Sequence, residues 1–223
     1  MFFPIGDTQV EQGKKPLLAY VIIAINVLVY LYEFTLPAPQ LNDFIIKYGT
    51  IPAEITHGQD YYTIFTSMFL HGGWMHLIGN MLFLWVFADN IEATVGYTNF
   101  IIFYLLGGIA ASLTHTLLSP NSVVPCVGAS GAIAACLGAY VVMFPKSQIK
   151  VLFLIFFTVF YVRAIYFLGF WIVQQLVSGF GSLGVNTADT DGVAYWAHIG
   201  GFVFGVVAGF YLKKKVQTQE VVV

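Results

Sequence analysis

Long apolar stretches alternate with short polar breaks along the chain, and the stretches have the length of membrane spans. A helix needs about 20 mostly apolar residues to cross a bilayer. Reading for such stretches gives six, at roughly 16–34, 74–90, 98–118, 130–145 (the shortest), within 149–178, and 194–212. The expected fold is an all-α membrane protein, a six-transmembrane-helix bundle with a long interfacial first loop. A short tail (1–15) precedes the membrane domain (16–212), and another (213–223) follows it.

The fifth stretch is too long for one span, and Arg163 sits in its middle, where a charge is expensive. A short helix at about 164–178 resolves this, with Arg163 at its cytoplasmic end. Residues 149–162 (IKVLFLIFFTVFYV) then lie along the cytoplasmic interface or pack against the bundle. The alternative is a functional buried arginine. The first loop, 35–73, crowds Tyr61, Tyr62, Phe65, Met68 and Phe69 into its last part. It reads as partly helical and lying in the outer interface, where aromatic residues prefer to sit.

Charge supplies the orientation. Lys14 and Lys15, Lys146 and Lys150, and Lys213, Lys214 and Lys215 all fall on one side of a six-span bundle. Positive residues stay in the cytoplasm, so both termini are expected there. The loops 119–129 and 179–193 carry no Lys or Arg and fall outside. The expected location is the plasma (inner) membrane. The first span is too long for the apolar region of a cleavable signal.

Composition agrees. The 223 residues are 58% hydrophobic and 9% charged, with mean hydropathy +0.81. A soluble domain carries about 25% charged residues. A soluble enzyme, a nucleic-acid partner and a disordered chain are excluded. Cys126 and Cys136 form no CxxC pair, and no Cys/His cluster has metal spacing. No metal and no cofactor are expected.

Polar groups inside spans mark candidate chemistry. Four stand out: His76, Asn80, Ser130 and His198. Singly, each reads as a satisfied hydroxyl or as glue between helices. Together they share a depth. His76 and Asn80 lie on one face near the outer start of the second span, His198 lies four residues into the sixth, and Ser130 opens the fourth.

Ser130 sits in Gly128-Ala129-Ser130-Gly131, where glycines permit a sharp turn and leave helix-start N–H groups for an anion. Ser130, Ala134 and Gly138 share one helix face; His198, Gly201, Gly205 and Gly209 share another. Two small-residue faces can approach closely in lipid, which would bring His198 to Ser130. His198 would then be the base and Ser130 the nucleophile, with His76, Asn80 and the Ser130 N–H at an oxyanion. No Asp or Glu is expected in the outer half of any span to orient His198, so the reading is a dyad. Asp189 and Asp191 are expected to cap the sixth helix or face water.

The segments HGGWMHLIGNMLFLWVFADNIE (71–92), GASGAIAACLGAY (128–140) and AHIGGFVFG (197–205) resemble the rhomboid intramembrane serine proteases. With YGTIPAEI and TIFTSMFLHG before them, the resemblance covers most of 48–211. It implies a six-helix core with a water-filled cavity open to the outer side. It implies Ser130 as nucleophile, His198 as base, His76 and Asn80 at the oxyanion, and Gly128 and Gly131 shaping the serine loop. Substrates would be single-span membrane proteins in the lipid bilayer, cut near the outer end of the span. The fifth helix, with Trp171 and Gln175 in its outer half, resembles an element proposed to move for substrates. Two features depart from the pattern. Some rhomboids place a tyrosine where this chain has Ala134, and some carry a Trp-Arg pair in the first loop that is absent here. Inactive relatives usually lack the serine or histidine; this chain keeps both. The competing readings are a non-catalytic rhomboid-like protein that binds or remodels transmembrane clients, and a channel or transporter.

Overall fold

The computed structural model describes residues 2–9, 15–181 and 194–221. In chain order these form β1 (Phe2–Asp7), α1 (Leu17–Thr35), α2 (Ala38–Tyr48), α3 (Pro52–Thr56), α4 (Thr63–Thr66), α5 (Trp74–Val95), α6 (Tyr97–Leu118), α7 (Ser130–Met143), β2 (Gln148–Phe153), β3 (Thr158–Arg163), α8 (Ala164–Gly181) and α9 (Tyr195–Val221). Four helices, α1, α6, α8 and α9 through Lys214, are long and apolar enough to cross a membrane. The apolar α7 is shorter. The six apolar stretches read from the sequence fall on α1, α5, α6, α7, α8 and α9, four of which have the length and hydropathy of a span. Asp189 and Asp191 lie outside the described residues.

The bundle is built around α7. Every residue from Gly131 to Tyr140 is buried, as expected of a helix that is apolar all round. Its neighbours are α5, α6, α8 and α9. The contact with α9 is backbone on backbone. A β-carbon on Gly138 would come 2.1 Å from the Phe202 carbonyl oxygen, one on Gly201 2.2 Å from that of Gly131, and one on Gly205 2.0 Å from that of Ala135. The two small-residue faces read from the sequence therefore meet.

The expected all-α fold is corrected by a three-stranded antiparallel sheet in the order β1-β2-β3. Residues 149–162 do pack against the bundle, but as a hairpin: Ile149 and Val151 point inward and are buried. Part of the expected N-terminal tail is its third strand, with Phe3 opposite Leu152 and Asp7 opposite Ile149. The sheet sits at the end of α7 remote from Ser130.

A second correction concerns buried carboxylates. Glu33, near the C-terminal end of α1, is 1% exposed, although no carboxylate was expected in that half of the span. It accepts the His71 backbone N–H at 3.2 Å. At the other end of α1 the carboxylate of Glu92, from α5, accepts the Leu18 and Ala19 N–H groups, both at 2.7 Å. That is a cap supplied by a neighbouring helix. It explains why α5 continues past residue 90 through polar residues.

The first loop is partly helical, as α2, α3, α4 and a 3-10 turn at Ser67–Phe69. It is tied to the loop before α7: Thr50 and Cys126 exchange backbone hydrogen bonds of 3.0 and 2.8 Å, and Gly128 N–H donates to the Ser67 carbonyl at 2.8 Å.

Candidate active site

Ser130 is the first residue of α7. The helix is 14 residues long against 22 in α5 and α6, a deficit of about 12 Å at 1.5 Å per residue. Shortening α7 leaves room above its N-terminus. A cavity of about 590 Å³ opens there, lined by Gly72, Met75, His76, Asn80, Ser130 and His198 among others.

Across the α7–α9 contact, His198 Nε2 lies 2.8 Å from Ser130 Oγ. On its other side, His198 Nδ1 lies 2.8 Å from Gln175 Oε1 of α8. An amide oxygen only accepts, so Nδ1 carries the proton and Nε2 presents its lone pair to the serine hydroxyl. The Trp171 ring packs over the imidazole with centroids 5.8 Å apart. His198 is thus seated by α8, while Ala134, at the position where some rhomboids have tyrosine, packs against Gly201.

Gly128 shapes the approach to the serine. Its φ is +124°, a conformation side chains rarely adopt. A β-carbon there would lie 2.8 Å from His76 Nε2 and 3.4 Å from Asn80 Nδ2. The missing side chain lets the serine loop come down onto both. Gly131 is equally confined, since its β-carbon would meet that of Ala111 at 2.6 Å. All four polar residues picked from the sequence border the same cavity.

Two residues near the site have no catalytic or positioning role in the sequence reading. Gln175 is one. The other is His71, 2% exposed, whose Nε2 accepts from Asn80 Nδ2 at 2.9 Å. Burial, helped by His76 beside it, pushes the His71 imidazole down to about 4 and keeps it neutral. His71 lies in the loop before α5, out of register with any helix face, so spacing alone could not place it. Cys126 also borders the cavity, but burial pushes its thiol up to about 11, which leaves no thiolate for chemistry at neutral pH. Among the described residues, no group of three or more His, Cys, Asp or Glu could hold a metal.

The fold and this site define a class: an integral, multi-pass membrane protein with a serine and a histidine at hydrogen-bond distance in a cavity between its helices. The rhomboid domain profile matches residues 58–215. Rhomboid protein 1, mitochondrial, of Saccharomyces cerevisiae is 32% identical over 210 residues, which cover 91% of this chain and 55% of that protein. Rhomboid protease GluP of Bacillus subtilis is 30% identical over 133 residues, 60% of this chain and 26% of its own. Rhomboid-like protease 5 of Toxoplasma gondii is 32% identical over 148 residues, 65% of this chain and 15% of its own. The chain belongs to the rhomboid family, and it spans about half or less of the length of these relatives.

Proposed function

We propose that this protein is an intramembrane serine endopeptidase acting through a Ser130–His198 dyad. Its substrates would be single-span membrane proteins, cut near the outer end of the span. The observation that carries the reading is the 2.8 Å contact between His198 Nε2 and Ser130 Oγ at the wall of the cavity. The likeness to the protease GluP supports it.

In this mechanism Ser130 Oγ attacks the scissile carbonyl carbon as His198 Nε2 takes the hydroxyl proton. The same imidazole hands that proton to the leaving amine. Water entering from the outer face then cleaves the acyl-enzyme, with His198 again the base. The carbonyl oxygen becomes an oxyanion, met by the Ser130 N–H at the α7 N-terminus, by His76 and by Asn80. Asn80 carries two N–H donors, and His71 engages one, leaving the second for the cavity. Both termini would lie in the cytoplasm with the cavity opening outward, a reading supported by the basic residues at the ends of the helices.

A fluorophosphonate probe in mild detergent tests the assignment. Labelling of the native chain, lost in both Ser130→Ala and His198→Ala, is the expected result. A Ser130→Ala protein that still cleaves a model single-span substrate would overturn it.

A further inference from the structure

The hairpin at the sheet end of the bundle has a tip that the serine chemistry does not use. Leu154, Ile155, Phe156 and Phe157 join β2 to β3 and are 40%, 68%, 72% and 79% exposed. Hairpin turns that need positive φ normally take Gly, Asn or Asp. Here Phe157 holds φ +48°, a left-handed conformation that bulky side chains rarely adopt. In water this tip would combine strain with four uncovered apolar side chains.

Polarity grades along the hairpin. On its outer face the cross-strand pairs run from Gln148–Arg163, through Lys150–Tyr161, to Leu152–Val159. Charge is at the base, an aromatic hydroxyl one step up, and only apolar atoms follow. The same order is found across a membrane interface, with basic residues at the phosphates and Tyr just below. Position agrees as well. Arg163 is followed directly by Ala164, the first residue of α8, a helix of membrane-spanning length and hydropathy. On the inner face, Phe160 and Val162 share an apolar groove of about 610 Å³ with Phe83, Phe167 and Phe170. The hairpin therefore lies along the apolar flanks of α5 and α8. From Arg163 to the turn is about 17 Å at 3.3–3.4 Å per residue, whereas the headgroup zone of a leaflet is roughly 5–8 Å thick. A hairpin rooted in the headgroups is long enough to reach the acyl chains.

We propose that the β2–β3 hairpin is a lipid anchor. Its Leu154–Phe157 tip inserts among the acyl chains of the leaflet at the sheet end, and Lys150 and Arg163 meet the lipid phosphates. The partner is the bilayer itself, with anionic headgroups favoured by the two cations. The anchor fixes the depth of the first turn of α8, and so of the helix that seats His198 through Gln175 and Trp171. It does not depend on Ser130 being a nucleophile.

The test uses the full chain with Cys126→Ser and Cys136→Ala, reconstituted in phosphatidylcholine/phosphatidylglycerol vesicles. A nitroxide is attached at Phe156→Cys, or at Asn121→Cys in the loop before α7 as an aqueous reference. Insertion predicts that oxygen relaxes the tip label at least several-fold more effectively, relative to a water-soluble nickel chelate, than it relaxes the reference. Equal accessibility ratios at the two sites would overturn the proposal. Trypsin cleavage after Arg163 gives a readout without a label. It should be at least tenfold faster in vesicles for Phe156→Ser/Phe157→Asn than for the native hairpin, provided both proteins show the same circular dichroism. Equal rates from two folded proteins would also overturn it.

Discussion

Gln175 Oε1 sits 2.8 Å from His198 Nδ1, so the histidine facing Ser130 is oriented by an uncharged amide on a third helix. An amide fixes the tautomer but adds no negative charge beside the imidazolium that the proposed mechanism would form. Gln175→Leu should lower kcat about 3- to 10-fold with little change in KM, the value of one net hydrogen bond. Gln175→Glu, which keeps the acceptor, should recover most of the rate and alter the acid limb of the pH–rate profile. Steady-state kinetics on both variants check this. Equal losses in the two would assign Gln175 a packing role only.

Asn80 and His71 should behave as a unit. Asn80→Ala is expected to cost about 10²–10³ in kcat if its amide meets the oxyanion. His71→Ala, which leaves the amide in place but unheld, should cost less. The double variant should be no worse than Asn80→Ala alone, because the imidazole acts through the amide. Multiplying losses would break the link.

Gly205→Ala places a β-carbon 2.0 Å from the Ala135 carbonyl oxygen, with only backbone available to give way. Overpacking typically costs about 1–3 kcal/mol, and here it also pushes α9 off α7. Thermal unfolding in detergent should fall by several degrees, and fluorophosphonate labelling should fall with it. Gly169→Ala on α8, where nothing lies within 4 Å of the added carbon, is the control expected to change neither.

Acidity should tighten the docking of β1. The Asp7 carboxyl accepts from the Tyr140 hydroxyl, from Asn90 Nδ2 at 2.7 Å and from Gln9 Nε2 at 2.7 Å. Burial, opposed by the Tyr140 hydrogen bond and reinforced by Asp89, raises it to about 7 from 3.8. A raised carboxyl holds its proton when docked and releases it when free. Docking is therefore strongest below about pH 4 and is lost progressively as pH rises through 7. Between pH 6 and 8 the docking equilibrium should weaken about tenfold. Hydrogen exchange of the β1 amides, corrected for intrinsic rates, measures it, and Asp7→Asn should be flat.

The parts legible in the sequence were those with a period. Ser130, Ala134 and Gly138 on one helix, and His198, Gly201 and Gly205 on another, announce two small-residue faces able to approach closely. His76 and Asn80, four apart, announce a third. Gln175 carries no such signal, because α8 is apolar on most sides and offers no face from which to count. Glu33 was hidden by standing two residues before the end of its span, where a carboxylate reads as interfacial. The hairpin failed for a different reason. Short, mostly apolar runs such as 151–153 and 159–162 look the same whether they form buried strand or helix. The strand that completes the sheet comes from Phe2–Asp7, over 140 residues earlier, a distance at which no local pattern speaks.

Because α7 and α9 touch through carbonyls and α-carbons at Gly138, Gly201 and Gly205, no side-chain repacking draws apart the backbones that carry Ser130 and His198. The two backbones behave as a fixed jaw. The adjustable part of the site is the third support, α8, which holds the His198 ring through Gln175 and Trp171. The same architecture divides tolerance to substitution: a β-carbon at Gly138, Gly201 or Gly205 meets backbone, whereas Gly169 on α8 has room for one.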